Sequence, residues 1–216
     1  MIHVLNQEPS ILSQYVAEIR DVEIQGDRMR FRKNLERIAE VAAFEISKVL
    51  PYTTRDVRTP LGTAKCQVLK KAPIICSILR AGLTMHGGLL NFFDGADNGF
   101  VSAYRKHGKD GEFSIELEYV ACPSFEGQTL IVSDPMIATG SSMVLTIEKL
   151  FEFGTPSQTH IVSAISAKEG LEVVSKRFPD IHIWAAAVDP ELNDKSYIVP
   201  GLGDAGDLAY GGKLQR

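Results

Sequence analysis

The segment Thr129–Ser142 constrains the fold of this chain more than any other. It opens with the apolar run Leu130–Val132, short enough for a buried central strand, and the run stops before Asp134. Small and polar residues follow at 138–142, and then apolar residues recur at helical spacing until Gly154. The segment therefore predicts a strand, a tight loop and a helix. Such a helix start presents unpaired N–H groups, so we expect an anion site there, most often for phosphate.

The same alternation of apolar strands and amphipathic helices runs through most of the chain. Further predicted strands are 72–79, 100–104, 160–165 and 181–188. Further predicted helices are 10–21, 26–50, 83–93 and 167–178. Strands that alternate with helices predict an α/β fold with a mostly parallel central sheet and helices on both faces.

Three segments do not follow the alternation. Residues 53–69 are rich in Thr and Val around Pro60-Leu61-Gly62, which predicts two strands joined by a turn. Residues 105–122 are charged and partly alternating, which predicts a flap with a half-exposed hairpin strand. Residues 189–216 are rich in glycine and are predicted to be loop-like.

Composition bounds the class of protein. The 216 residues are 44% apolar, which predicts one domain, 1–216, without an apolar stretch long enough to span a membrane. The net charge of −4 argues against a broad nucleic-acid surface. The three cysteines have no metal-ligand spacing, and the first residues show no export signal. We therefore expect reduced thiols in a cytoplasmic protein.

Charged residues follow three of the predicted strands. Asp134 follows the strand of the opening segment, and Arg80 and Arg105 follow two others. In open α/β sheets, ligands bind outside the carboxyl ends of the strands. An arginine at the end of a buried strand is costly unless it meets an anion. Spacing alone leaves Arg80 open between an anion contact and an ordinary surface salt bridge.

Three motifs resemble those of one family, in that family's order. Residues 134–140 (DPMIATG) resemble the phosphoribosyl-pyrophosphate (PRPP) loop of the phosphoribosyltransferases, in the Asp-Pro-Met form of the uracil enzymes. Residues 78–83 (ILRAGL) and 197–207 (YIVPGLGDAGD) resemble two further motifs of the uracil enzymes. The chain is therefore similar to the uracil phosphoribosyltransferases, which are type I phosphoribosyltransferases. These pentosyltransferases convert uracil and PRPP to UMP and diphosphate in pyrimidine salvage.

The resemblance implies a role for each matching residue. Asp134, Asp204 and Arg80 are the implied catalytic residues. The implied PRPP-binding residues are Arg80, Arg105, Asp134, Pro135, Met136, Ile137, Ala138, Thr139, Gly140, Ser141, Ser142 and Asp204. The implied uracil-binding residues are Ile198, Gly203, Asp204 and Ala205, in a C-terminal hood formed by residues 189–216.

The resemblance also implies a cofactor and partners. Mg²⁺ is expected on the pyrophosphate through PRPP oxygens and waters, with no direct protein ligand. The segment 53–69 is expected to form a β-arm that contacts a second subunit, giving a homo-oligomer (a dimer or higher). GTP is a candidate effector. Neither a nucleic acid nor a membrane is an expected partner.

Two alternatives stay open on the sequence. The first is an RNA-binding regulator of pyrimidine genes on the same fold, but such proteins carry two adjacent acids in the loop, where this chain has only Asp134. The second is a transferase for another base, which the 197–207 motif argues against. Departures from the family pattern occur at Ser141, at 208–210 and in the N-terminal segment. They bear on tail packing, regulation and oligomer contacts more than on the reaction.

Overall fold

The computed structural model describes residues 1–107 and 113–214, and side chains at all of these except 103–107 and 113–118. The strands are β1 (Ile2–Val4), β2 (Tyr52–Thr59), β3 (Gly62–Leu69), β4 (Ile74–Leu79), β5 (Asp97–His107), β6 (Phe113–Ala121), β7 (Thr129–Ser133), β8 (Met136–Ile137), β9 (Gln158–Ala167), β10 (His182–Asp189), β11 (Glu191–Leu192) and β12 (Ile198–Val199). The helices are α1 (Ile11–Arg20), α2 (Arg28–Ser47), α3 (Leu83–Leu90), α4 (Ser141–Leu150), α5 (Lys168–Arg177) and α6 (Ala205–Tyr210), with a short 3₁₀ turn at Phe151–Phe153.

The central sheet has the strand order β1-β10-β9-β7-β4-β5-β6, and the short β8 pairs with β9. Its neighbours are parallel except for the antiparallel pair β5 and β6. This confirms the predicted α/β architecture with a mostly parallel sheet. None of the described helices is long and apolar enough to cross a membrane.

Helices cover both faces of the sheet, as predicted. On one face, α1, α2 and α3 pack against apolar strand residues such as Ile131 and Trp184. On the other face, α4 and α5 pack against Val132 and Ile161. Consecutive residues of β7 thus point to opposite cores, which is why that strand is apolar without alternation.

Polar caps set the starts of α1 and α2. The Ser10 hydroxyl accepts the backbone N–H of Leu12, and the Ser13 hydroxyl accepts the backbone N–H of Ser10. The carboxylate of Asp27 accepts the backbone N–H groups of Met29 and Arg30. These bonds satisfy donors that a helix start leaves unpaired. Both helices can therefore begin where the sequence predicts them to within a few residues.

The segment predicted as two strands around a turn is the antiparallel hairpin of β2 and β3. Most of its side chains are exposed, and Leu61 in its turn is fully exposed. It forms a sheet of its own, separate from the central one. The prediction of two strands is confirmed.

At the termini, one strand was missed and one prediction was wrong. The N-terminal β1 was not predicted; it pairs in parallel with the start of β10, and the terminal ammonium donates to the carbonyl of Ile181 at 2.7 Å. The tail was predicted to be loop-like, but it contains the β11–β12 hairpin and α6. The α6 helix forms because Asp204 caps it and because the Arg32 guanidinium donates to the carbonyl of Ala209 at 2.7 Å.

Three histidines gather where β9 and β10 begin, beside β1. Nε2 of His3 lies 3.1 Å from Nδ1 of His182, and the His3 ring stacks on Trp184 with centroids 3.9 Å apart. The indole N–H of Trp184 donates to Nδ1 of His160 at 3.1 Å. Burial lowers the pKa of His160 to about 3, and burial also lowers the pKa values of His3 and His182. All three rings are therefore neutral at pH 7.

Candidate active site at the carboxyl ends of the strands

The residues at the ends of β4 and β7 meet at one edge of the sheet. The two strands are parallel neighbours, with Ser77 paired to Ser133. The residues that follow them, Arg80 and Asp134, are therefore brought to the same edge. Arg105 lies in β5 beyond the residue paired with Leu79, which ends β4; its side chain lies outside the described part of the structure.

The loop between β7 and α4 is held to the sheet by its backbone. The carbonyl of Pro135 accepts the N–H groups of Ala164 and Ile165, and β8 pairs with the end of β9. Pro135 and Ile137 are buried, whereas Met136, Ala138 and Thr139 are half-buried. The loop thus turns backbone and small polar groups outward, and its largest apolar side chain, Ile137, packs into the core.

Two glycines bring this loop against α5. Gly140 has a φ of +78°, and a Cβ built there would lie 2.5 Å from the carbonyl oxygen of Gly170. A Cβ on Gly170 would lie 2.1 Å from the carbonyl oxygen of Ala138. Backbone therefore packs directly on backbone, which side chains at these two positions would prevent. Gly170 was not among the predicted site residues, because nothing in its local sequence indicates the contact.

Helix α4 begins at this loop with its first N–H groups available. In the described part of the chain no side chain caps the helix; its N-cap residue is Gly140, followed by Ser141 and half-buried Ser142. The N–H groups of the first turn of a helix have no intrahelical partner, and the helix dipole is positive at that end. A helix start of this kind is where proteins bind anions, and an anion site here stays a prediction.

Asp134 is the first residue of the loop, and the pKa of its carboxyl group is raised. Its Oδ1 accepts the backbone N–H of Met136 at 3.3 Å. Burial raises the pKa of Asp134 to about 7, and the bond from Met136 offsets only part of that effect. The carboxyl group therefore changes charge in the physiological range, a property common in functional sites.

Arg80 points toward the C-terminal tail. Its guanidinium donates to Oδ1 of Asp207 at 3.0 Å and to the carbonyl of Gly211 at 3.2 Å. A Cβ on Gly206 would lie 3.5 Å from Nη2 of Arg80 and 3.2 Å from Oδ1 of Asp204. The structure thus brings Arg80 and Asp204 together. Asp207 was missing from the predicted site, although it is the last residue of the 197–207 motif.

A buried hydroxyl network lies behind Arg80 and Asp134. Oγ of Ser77 is 2.7 Å from Oγ of Ser133 and 2.7 Å from Nδ1 of His86 in α3. A Cβ on Gly82 would lie 2.5 Å from the carbonyl oxygens of both Ile78 and Ser133. The turn that carries Arg80 is therefore packed directly on β7, one residue before Asp134.

The predicted base-binding residues of the tail differ in their surroundings. Ile198 and Ala205 are each 4% exposed, with their side chains in the core. Gly203 has a φ of +94° and open space where a Cβ would be. Asp204 accepts the N–H of Asp207 at 2.9 Å, and Nζ of Lys213 lies 3.7 Å from its other oxygen.

The described side chains do not form a metal-binding cluster of their own. In residues 1–107 and 113–214, no three His, Cys, Asp or Glu side chains are arranged to hold a metal ion. The carboxylates of Asp134 and Asp204 lie at the strand-end edge as separate groups. Such oxygen donors suit a hard cation that keeps most of its ligands from waters and a phosphate-bearing substrate.

The chain is similar to known proteins over nearly its whole length. A sequence model of the family "Uracil phosphoribosyltransferase" matches residues 6–212. A uracil phosphoribosyltransferase from Porphyromonas gingivalis is 51% identical over 215 residues, covering 99% of each chain. The solved AQ2163 protein from Aquifex aeolicus is 30% identical, with a TM-score of 0.87, over 99% of this chain and 100% of that one.

A more distant solved structure bears on the fold alone. The adenine phosphoribosyltransferase from Trypanosoma brucei is 11% identical, with a TM-score of 0.58, over 94% of this chain and 88% of that one. The type I phosphoribosyltransferase-like sheet expected from the sequence is thereby confirmed.

Proposed function

The chain belongs to the uracil phosphoribosyltransferase family, and from that premise we propose that it converts uracil and PRPP to UMP and diphosphate in pyrimidine salvage. One observation carries the proposal at the level of the site. Three motifs far apart in sequence each have the chemistry that one part of this reaction needs. The start of α4 suits the 5′-phosphate, Arg80 suits the pyrophosphate, and the tail residues 198–207 suit the base.

The loop 134–142 is proposed to bind PRPP. The N–H groups at the start of α4 and the hydroxyls of Thr139, Ser141 and Ser142 suit a 5′-phosphate. Ionised Asp134 suits the two ribose hydroxyls, because a carboxylate can accept a hydrogen bond from each. Pro135, Met136, Ile137 and Ala138 contribute by setting the path of the backbone.

Arg80, Asp204 and Arg105 are proposed to serve the pyrophosphate. A guanidinium matches phosphate oxygens with paired donors, and its interaction strengthens as negative charge grows on the leaving group. Arg80 carries this role, with Arg105 supplying a second guanidinium. Asp204 is proposed to orient a water or a cation on the pyrophosphate. Its Oδ2 lies 3.7 Å from Nζ of Lys213, which is longer than a hydrogen bond, so this oxygen can accept one from a water.

Mg²⁺ is proposed as the cofactor. Asp134 and Asp204 could hold it through waters; when bound, it would neutralise charge on the pyrophosphate. The chain's own residues then have to position the two substrates. The sugar carbon must face the base while water is kept out.

The tail is proposed to read uracil as a hood. Uracil offers an N3–H donor between two carbonyl acceptors, whereas cytosine has an acceptor at N3 and an amino donor. Backbone groups around Ile198, Gly203 and Ala205 have fixed polarity, since no rotamer can exchange donor for acceptor. Each mismatched buried group costs about 1–3 kcal/mol. Two such groups would favour uracil by about 10²- to 10⁴-fold.

Broader proposals follow from the family and the sequence. Residues 1–216 are proposed to act as one domain that assembles into a homo-oligomer through the hairpin of β2 and β3, which carries the exposed Leu61. Cytoplasmic location is consistent with three free cysteines. GTP is proposed as an effector on the family resemblance alone.

A base screen tests the proposed function. The full chain is incubated with PRPP, Mg²⁺ and one of uracil, cytosine, adenine or hypoxanthine, and nucleotide formation is measured. We expect UMP from uracil and at least about 100-fold lower kcat/KM with the other bases. Equal use of all four bases, or no UMP at all, would overturn the proposal.

Two glycine variants test the hood within the same screen. Gly203 and Gly127 both have positive φ and open space where a Cβ would be, but Gly127 precedes β7 at the opposite edge of the sheet. Gly203→Val should abolish UMP formation, whereas Gly127→Val should retain it at a similar cost in stability. Full activity in Gly203→Val would show that this part of the tail does not read the base.

A further inference from the structure

A buried ion pair holds one residue of the tail from both sides. The guanidinium of Arg20, the last residue of α1, donates to both carboxylate oxygens of Asp189 at 2.7 and 2.8 Å. Asp189 ends β10 and is 4% exposed. A paired, two-bond contact of this kind fixes both distance and orientation.

The same two side chains also bind both backbone groups of Gly201. The N–H of Gly201 donates to Oδ2 of Asp189 at 2.8 Å, and Nη1 of Arg20 donates to the carbonyl of Gly201 at 2.9 Å. Gly201 has a φ of +57°, and a Cβ there would lie 2.1 Å from the carbonyl oxygen of Ile198. Arg20 and Asp189 therefore fix the backbone at the centre of the turn from Ile198 to Gly203.

We infer that Arg20 and Asp189 are positioning residues. They keep the backbone N–H and C=O groups of the tail that contact the base in a fixed orientation. The inference rests on the proposed function, in which the backbone of residues 198–205 reads uracil. Discrimination by backbone groups requires that their directions stay fixed, because a peptide that can rotate can present either polarity. The two bonds to Gly201 supply that constraint from Arg20 at the end of α1 and from Asp189 at the end of β10, two elements that are fixed in the core of the protein.

Stability alone accounts poorly for this arrangement. Replacing a buried ion pair by well-packed apolar residues is often neutral or stabilising. An apolar pair could not, however, bind the N–H and the carbonyl of the same glycine. What Arg20 and Asp189 provide, and an apolar pair would not, is hydrogen bonding that fixes the orientation of the Gly201 backbone.

The test compares substrates in three variants. Arg20→Lys keeps the charge but lacks the planar fork that bonds Asp189 and Gly201 together. Asp189→Asn removes the charge and one acceptor. We expect both to raise the uracil KM by about 10-fold or more, because misplacement by about 1 Å can cost up to 100-fold. The PRPP KM should change less than twofold, and the preference for uracil over cytosine should shrink.

Arg30→Ala is the matched control. Arg30 ties α2 to Glu18 of α1 at 3.1 Å and has no described contact with the tail. It should lower the melting temperature without changing uracil KM or base preference. Hydrogen exchange in the wild type adds a measurement that needs no variant: the Gly201 amide should exchange more slowly than those of Gly203 and Gly212.

The outcomes separate the inference from the proposed function. If the wild type makes no UMP, the proposed function fails. If the wild type is active but folded Arg20→Lys and Asp189→Asn keep their uracil KM and base preference, only the positioning role is overturned. Equal changes in both KM values, shared by Arg30→Ala, would show a merely structural effect. If neither Arg20→Lys nor Asp189→Asn folds, a wild-type Gly201 amide that exchanges as fast as that of Gly203 overturns the inference.

Discussion

Gly140→Ala should separate the stability of this fold from its capacity to bind PRPP. The new Cβ would lie 2.5 Å from the carbonyl oxygen of Gly170, while real Cβ contacts stay above 3.0 Å. The loop must therefore retreat from α5 by at least half an ångström, and by nearly 1 Å to reach an ordinary contact. Since β8 holds the other end of the loop to β9, the retreat falls on the start of α4.

Gly140→Ala should lower the free energy of unfolding for two reasons. A non-glycine residue in the left-handed region loses about 1–2 kcal/mol, and overpacking adds about 1–3 kcal/mol. A domain with a stability of about 5–15 kcal/mol survives this loss. The displaced N–H groups should in addition lower kcat/KM for PRPP about 100-fold, since a shift of about 1 Å can have that effect.

Gly154→Ala is the matched control for this prediction. Gly154 also has a positive φ, +129°, and a Cβ there would lie 2.6 Å from the backbone nitrogen of Glu126. It lies between α4 and β9, at the edge of the sheet opposite the candidate site. Thermal unfolding should show similar destabilisation in both variants, while initial rates over a range of PRPP concentrations should be impaired in Gly140→Ala alone. Similar PRPP kinetics in the two folded variants would refute the reasoning.

Four further predictions concern charged or titratable groups. Because the pKa of Asp134 is raised to about 7, kcat/KM for PRPP should fall as the pH drops through 7, and Asp134→Asn should abolish that dependence. An unchanged pH–rate profile would contradict this. The folded carboxyl group holds its proton to a higher pH than the unfolded one (pKa about 3.9), so the free energy of unfolding falls as the pH rises towards 7. Asp134→Asn should therefore melt higher than the wild type at pH 8, and equal melting temperatures there would contradict this second expectation. Arg80→Ala should lower kcat on the order of 100-fold with a smaller change in uracil KM, and a raised KM with unchanged kcat would assign Arg80 to the base pocket. Because burial lowers the pKa of His160 to about 3, the unfolded chain protonates first, so the free energy of unfolding in urea should fall as the pH drops from about 6.5, and less steeply in His160→Gln; equal slopes would exclude His160 as a source.

The central sheet could be predicted from the sequence because its strands are buried on both faces. Strands such as β4 and β7 are apolar throughout, and each is followed by a loop and a helix of clear periodicity. β1 could not be predicted in the same way. It is three residues long, and its place in the sheet depends on β10, far along the chain.

The candidate site was predictable only where its chemistry is local. Asp134 and the loop that follows it combine strand, glycine and helix start within one short segment. Gly170 and Asp189 act through contacts with residues distant in sequence, and neither stands in a local pattern that indicates this. Arg20 ends an amphipathic helix, where a basic residue is ordinary, so its bonds to Asp189 and Gly201 emerge only from the tertiary structure.

The ion pair between Arg80 and Asp207 makes anion binding at Arg80 an exchange reaction. An anion that takes both guanidinium donors must displace the Asp207 carboxylate, so a measured affinity is the difference between two interactions. The two side chains are 42% and 41% exposed. An exposed ion pair contributes about 0–1 kcal/mol, so displacing Asp207 lowers the affinity for an anion by only that small amount. By linkage, anything that moves Asp207 away strengthens anion binding, and a bound anion loosens the tail by the same free energy.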